Sequence, residues 1–306
     1  MRLTAAGLLS LCTAAFPQAG ATVHKVIIDT DIGDDIDDAF AIALLLNCPE
    51  LEVVGITTVH DDARTRARIA CKMLHLAGRT SIPVAAGPGR GDPNQAPWAA
   101  DFEAVKPADT PAPQFLVQQV NAHPGEITLV PIGPLTNLAA ALDLAPSIAG
   151  KLKGIVTMGG SAYVGYNLQP PPCAEYNIHQ DIPAAKRVYS AGIPITMVGL
   201  DVTAMLRFDA DMRAQLAARG LPLTDALTEL YRLWGHETPI LYDPMALSMV
   251  IDSTLCQTEK RRVVVDDEGM TRLVEGEPNA TVCAKPDVER FFRFYLDRVV
   301  KPGKPT

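Results

Sequence analysis

The sequence predicts an α/β fold: a single domain with a Rossmann-like, mostly parallel central sheet and helices on both faces. Three observations carry that expectation. Short apolar runs alternate with helical stretches from residue 23 onward, the pattern that builds a parallel sheet from strand–helix units. The 306 residues, 48% of them hydrophobic, supply a core large enough for one such sheet. No internal repeat, low-complexity tract or linker divides the chain.

Residues 1–21 read as a secretory signal. Arg2 gives a short positive region, 3–16 is apolar, and Ala19-Gly20-Ala21 suits a small-residue cleavage site. The apolar stretch is too short for a membrane span, and Leu11 before Cys12 makes a poor lipid-attachment motif. The expectation is a secreted or periplasmic protein, with no membrane partner after signal removal and a folded domain at 22–306. The plain alternative is an N-terminal extension without a targeting role.

Val26-Ile27-Ile28 reads as a first, buried strand, and 39–46 as an apolar helix close behind it. A second strand is expected at 51–59. Asp62 is placed to cap a helix running to about Leu76, with Ile69, Met73 and Leu76 along one face. Residues 81–85 read as a third strand. The stretch 87–113, rich in Gly and Pro and holding Trp98 and Phe102, is an irregular excursion of the kind that forms binding loops or lids. A helix is expected at 114–122 and a strand at 127–132. Gly133-Pro134 then opens a helix, since Pro suits a first turn. A strand at 152–158 leads into a second long loop, 159–179. Helix 181–191, strand 194–198, a mainly helical stretch from Phe208 to Val250, a short hairpin of 263–265 with 273–275, and a closing helix at 287–299 complete the chain.

The net charge of −8 and the lack of any basic patch interleaved with aromatics exclude a nucleic-acid partner. Beyond residue 21 the cysteines are Cys48, Cys71, Cys173, Cys256 and Cys283. They are odd in number, scattered and without metal spacing. No disulfide framework or cysteine nucleophile is expected, although one incidental bridge stays open.

The chemistry concentrates between the first strand and its helix, where Asp29, Asp31, Asp34, Asp35, Asp37 and Asp38 fall within ten positions. Carboxylates this close cannot all stay ionised without positive charge among them. A helix N-terminus supplies part of it, and a hard divalent cation with oxygen ligands would supply the rest. The plain alternative is an acidic loop ending in an N-cap, but six Asp between two buried elements exceed what a cap needs. An EF-hand loop is excluded, because Asp34 and Phe40 stand where Gly and Glu are required. The remaining ligands must come from elsewhere. Four later segments are placed to converge: His60-Asp61-Asp62; Gly133 to Asn137; the loop with Asn167, Glu175, Asn177 and His179; and Tyr242-Asp243-Pro244.

These motifs, taken in order, resemble the inosine-uridine-preferring nucleoside hydrolase family across nearly all of 23–299. The carrying residues are Asp29-Thr30-Asp31-Ile32-Gly33 with Asp37-Asp38-Ala39, Ile132 to Asn137, Met158-Gly159-Gly160, Ala174 to Ile178, Val198 to Thr203, and Asp243-Pro244. The resemblance implies the nucleoside hydrolase fold and a Ca²⁺ enzyme that cleaves ribonucleosides to ribose and free base. It implies Asp31 as general base activating a metal-held water. Asp31, Asp38, the Thr136 carbonyl and Asp243 become the metal ligands. Asp37, Asp62, Asn167, Glu175 and Asn177 become substrate contacts. A homodimer or homotetramer is implied as well. The chemistry agrees with the residue types, because glycosyl cleavage passes through an oxocarbenium-like state that carboxylates stabilise.

Three departures stand out. Five residues rather than three separate Asp31 from Asp37, so Asp34 and Asp35 fall in a lengthened loop. Asp61-Asp62 follows the second strand where Gly-Asn is common. Tyr242 stands where many members have a His that protonates the leaving base. Tyr242 is carried as a catalytic candidate, as donor or as a stacking group, and His60, His179 and His236 are the alternatives for the acid. Trp98, Tyr163, Tyr166 and Trp234 are candidates to stack on the base. The rival readings are a catalytically impaired calcium-dependent ribose or nucleoside binding protein, and a phosphatase using Asp29-Thr30-Asp31.

Overall fold

The computed structural model describes residues 22–89 and 91–301; the expected signal segment lies outside them. The strands are β1 (His24–Thr30), β2 (Leu51–Thr58), β3 (Val84–Ala86), β4 (Ile127–Pro131), β5 (Gly154–Met158), β6 (Ile195–Val198), β7 (Cys256–Val265), β8 (Thr271–Val274) and β9 (Ala280–Pro286). They form one sheet in the order β3-β2-β1-β4-β5-β6-β9-β7-β8. Pairing is parallel from β3 to β9, and β7 runs antiparallel to both β9 and β8.

The helices are α1 (Asp37–Asn47), α2 (Ala63–Leu76), α3 (Ala112–Ala122), α4 (Thr136–Leu144), α5 (Tyr176–Gln180) and α6 (Ile182–Tyr189). After them come α7 (Leu200–Thr203), α8 (Ala210–Ala217), α9 (Pro222–Trp234), α10 (Tyr242–Ile251) and α11 (Val288–Val299). Side chains of α1, α2, α9, α10 and α11 build the core on one face of the sheet, and those of α3, α4 and α6 build it on the other.

Helix α1 is buried from Asp37 through Leu46, which is why its sequence is apolar all round rather than striped. Phe40 at its centre packs on Phe208 and Tyr295, with ring centroids 5.1 and 6.1 Å away. The Tyr295 hydroxyl donates to the Phe40 carbonyl over 3.1 Å. Truncation of such a buried ring to Ala costs about 3–5 kcal/mol, so the floor on which the site rests is rigid.

Several boundaries move from their expected places. Helix α4 begins at Thr136, so Gly133 and Pro134 form the turn ahead of it. The loop after β5 ends in the short helix α5. The expected hairpin is present as β7 and β8, with Val263 opposite Leu273. However, β7 extends back to Cys256 and pairs there with β9, a strand that the sequence pattern did not show. The run Glu259-Lys260-Arg261-Arg262 is exposed, so this part of the ribbon carries no alternation to read.

The chain order places the site. From β1 the chain builds outward through β2 and β3, then returns to add β4, β5 and β6 on the other side. The β1/β4 boundary is therefore a topological switch point, and open α/β sheets bind ligands at the carboxyl ends of the strands there.

Candidate active site

A cavity of about 350 Å³ opens at that point, lined by Asp31, Asp34, Asp35, Asp37, Asp38, Glu175 and Asp243 among others. Asp31 follows β1 directly. Asp37 and Asp38 occupy the first turn of α1. Asp243 occupies the first turn of α10. Two helix N-termini thus face the same acidic floor, and each brings partial positive charge. Carboxylate oxygens of Asp37, Asp38 and Asp243 lie within 4.8 Å of one another. The Asp243 amide donates to Asp37 Oδ2 over 3.1 Å, and Thr30 Oγ1 donates to Asp38 Oδ1 over 2.5 Å.

All three carboxyls are held well above the usual carboxylate range, by burial first and then by neighbouring carboxylates: Asp35 for Asp37, Asp31 for Asp38, and Asp37 for Asp243. Asp31 is raised to about 7 by burial, with Arg66 opposing the shift. No Lys or Arg lines the cavity among the described residues. A nest of buried oxygen donors lacking a cationic side chain has the donor chemistry of a hard divalent metal, so the cluster could hold a metal ion.

The lengthened loop before α1 is pinned by a residue that sequence reasoning missed. Arg66 in α2 is fully buried. Its Nη1 donates to the carbonyls of Asp31 and Ile32. Its Nη2 reaches Asp34 at 2.6 Å and Asp61 at 3.2 Å, and its Nε donates to the His60 carbonyl over 3.0 Å. The available signal was a charge among inward residues, since Arg66 shares a helical face with Ala63, Ile69 and Ala70. Gly133 leaves the space that Asp31 fills: a Cβ there would stand 2.7 Å from Asp31 Oδ1.

On the far wall Glu175 caps α5. Its Oε1 accepts from the Asn177 amide at 3.0 Å, and its Oε2 accepts from Gly160 at 3.0 Å and Ile178 at 3.2 Å. Burial raises the Glu175 carboxyl, and these backbone donors oppose the shift. Asn177 Nδ2 donates to the Ile132 carbonyl over 3.0 Å and to the Met158 carbonyl over 3.3 Å, tying the ends of β4 and β5. Asp201 gathers the loop ahead of α5 by accepting from the amides of Ala162, Tyr163 and Val164. The rim is aromatic: Tyr166, Tyr176, Trp234, His236 and Tyr242 line it, and the Tyr166 and Tyr242 rings meet edge-on at 6.4 Å.

Asp31, Asp37, Asp38, Glu175, Asn177, Tyr242 and Asp243 therefore converge, whereas three expected site residues do not. Asp62 spends its carboxylate as the cap of α2, accepting from the Arg64 and Thr65 amides and the Thr65 hydroxyl. Asn167 is exposed, and its Oδ1 accepts from Gln169. Thr136 donates its hydroxyl to Asp181. Because it opens α4, its carbonyl points along the helix away from the N-terminus. The residue of that segment facing the cavity is Ile132.

Of the candidate acids, His60 and His179 lie off the cavity and His236 lines it. Tyr242 is driven well above its ordinary value by burial and then by Asp37 and Asp35, so a phenol already weak as an acid becomes weaker. Trp98 is buried and donates to Glu229, and Tyr163 reaches Glu259. Tyr166 and Trp234 remain to stack on a ligand.

Known proteins share this architecture. The family described as inosine-uridine preferring nucleoside hydrolase matches residues 26–293. Uridine nucleosidase 1 of Arabidopsis thaliana is 34% identical over 271 residues, covering 81% of this chain and 80% of that protein. The pyrimidine-specific ribonucleoside hydrolase RihA of Escherichia coli O9:H4 is 31% identical, covering 90% and 97%. The solved purine-preferring ribonucleoside hydrolase from Gardnerella vaginalis superposes with a TM-score of 0.79 at 28% identity, covering 90% and 98%. With the acidic floor, the switch-point cavity and a match along most of its length, the chain belongs to the inosine-uridine preferring nucleoside hydrolase family.

Proposed function

We propose that this chain hydrolyses the N-glycosidic bond of ribonucleosides at a calcium site, releasing ribose and the free base. The observation that carries the reading is the convergence of Asp37, Asp38 and Asp243 beside Asp31 on the floor of one cavity. Asp31, Asp38 and Asp243 would hold the ion, with Asp37 close enough to join them and the Ile132 carbonyl taking the part expected of Thr136. When bound, calcium would neutralise these carboxylates and fix the ribose 2′ and 3′ hydroxyls.

The remaining work belongs to side chains of this chain. Asp31, on the cavity floor beside the ion site, would be the base that takes a proton from an attacking water. Glu175 and Asn177, which line the cavity, would contact the sugar. The surrounding carboxylates stabilise positive charge as it grows on the ribose ring. The aromatic rim offers flat faces to a departing base.

Release of reducing sugar from inosine, uridine, adenosine and cytidine, with and without chelator, tests the reading. Ribose release that stops on chelation and returns with calcium is the expected result. Activity indifferent to chelator would remove the metal from it.

A further inference from the structure

When a nucleoside is cleaved, the C1′–N bond breaks with its electron pair passing to the base. A nitrogen anion leaves poorly, so a proton delivered to the base lowers the barrier. The phenols lining the cavity are poorly suited to deliver it. A phenol keeps its proton to a pH of about 10 in water, far above the range in which an acid works best near neutrality. His236 is the imidazole of the cavity wall among the described residues, and imidazole is the side chain that exchanges protons near neutral pH.

Its placement suits the task. Helix α9 ends at Gly235, whose φ of 77° turns the chain back in a conformation that favours glycine. That turn sets the His236 ring edge-on to Trp234, with centroids 4.9 Å apart. Both rings lie on the cavity wall. His236 is exposed at the mouth, where solvent can restore a proton after each turnover. Asp35 lines the same cavity from the lengthened loop, together with Trp234 and His236.

We propose that His236 is the acid that protonates the departing base, and that Asp35, which lines the same cavity, acts as a positioning residue for the imidazole. The assignment rests on the nucleosidase reading above. In the balanced step, the electron pair of the C1′–N bond goes to the base nitrogen, which takes the imidazolium proton. The water oxygen bonds to C1′ and its proton goes to Asp31. Two departures in the sequence then belong together: the lengthened loop brings Asp35 to the cavity that His236 lines, and a phenol stands at Tyr242.

The test compares inosine and uridine with 4-nitrophenyl β-D-ribofuranoside, whose nitrophenolate leaves without a proton. The parent, His236→Gln, Asp35→Asn and Tyr242→Phe are assayed with calcium. His236→Gln should lower kcat on the nucleosides about 100-fold or more, while its rate on the nitrophenyl riboside stays within about 2-fold of the parent. Asp35→Asn should show the same selective pattern with a smaller loss. Equal losses on both substrate types in His236→Gln, or no loss on nucleosides, would overturn the assignment, as would a selective loss confined to Tyr242→Phe. A parent that hydrolyses neither substrate would overturn the nucleosidase reading itself, and this assignment with it.

Discussion

The backbone amide of Asp243 donates to the side chain of Asp37 across 3.1 Å, joining residues 206 positions apart. That bond brings the N-terminus of α10 against the N-terminus of α1 and closes the floor of the cavity. It also forces two buried carboxylates together, which is favourable only with a compensating charge.

Asp243→Asn removes one of those charges and keeps the shape. In chelator the variant should melt above the parent by about 1 kcal/mol, or roughly 2 °C for a chain of this size. Calcium should then stabilise the parent, by about 2.7 kcal/mol at a hundred times its Kd, and the variant far less. Melting curves with chelator and with calcium check both statements. A variant that keeps the full calcium shift contradicts a ligand role for Asp243.

The raised carboxyls also set a pH dependence. Asp29 is fully buried, with one oxygen unpartnered, and is pushed up to about 6 by burial. Asp31 reaches about 7. Groups raised on folding bind more protons in the folded than in the unfolded state, so their contribution is present at low pH and is lost as pH rises. For Asp29 the window runs from about 4 to about 6, and the loss is roughly 3 kcal/mol. Without metal, the urea midpoint should fall between pH 4 and 7. Calcium favours the ionised carboxylates and should flatten that slope. A metal-free midpoint that rises across this range would contradict the assignment of these groups.

Arg66 is buried at 0% exposure and serves five acceptors. Arg66→Met should cost about 3–5 kcal/mol, because it strands partners that were paired with a buried charge. Asp34→Asn keeps a hydrogen-bond acceptor at a partly exposed site and should cost under about 1 kcal/mol. Denaturant midpoints of the two variants give the comparison. A mild effect of Arg66→Met would mean that the loop before α1 holds its shape without this residue.

What was legible in the sequence follows from how far each signal reaches. The Asp cluster, the capped helix after Asp62 and the alternation of strands and helices up to β6 are local patterns, and they appear in the expected order. Asp62 shows the limit: the property that makes Asp a good cap is the one that takes its carboxylate away from the cavity. Thr136 lies apart from the cavity because α4 starts two residues beyond Pro134, a boundary that the sequence leaves open. Strand β9 and the first half of β7 carry no alternation to read. The contacts of Arg66 join α2 to a loop more than thirty residues earlier, a distance that no periodicity spans.

Gly133 offers the narrowest test of the floor. Its backbone suits any residue, since its φ is not in the left-handed region, so Gly133→Ala should fold. The added Cβ would stand 2.7 Å from Asp31 Oδ1 and 2.9 Å from Val59 Cγ1. Val59 is fully buried and has little room to retreat, so the Asp31 carboxylate must give way. A shift approaching 1 Å in a reacting group costs about 100-fold in rate. Gly133→Ala should therefore keep the parent's melting temperature to within a few degrees and lose roughly that factor in kcat, with KM moving much less. A variant with unaltered kcat would mean that Asp31 can move without consequence and would remove it as the base.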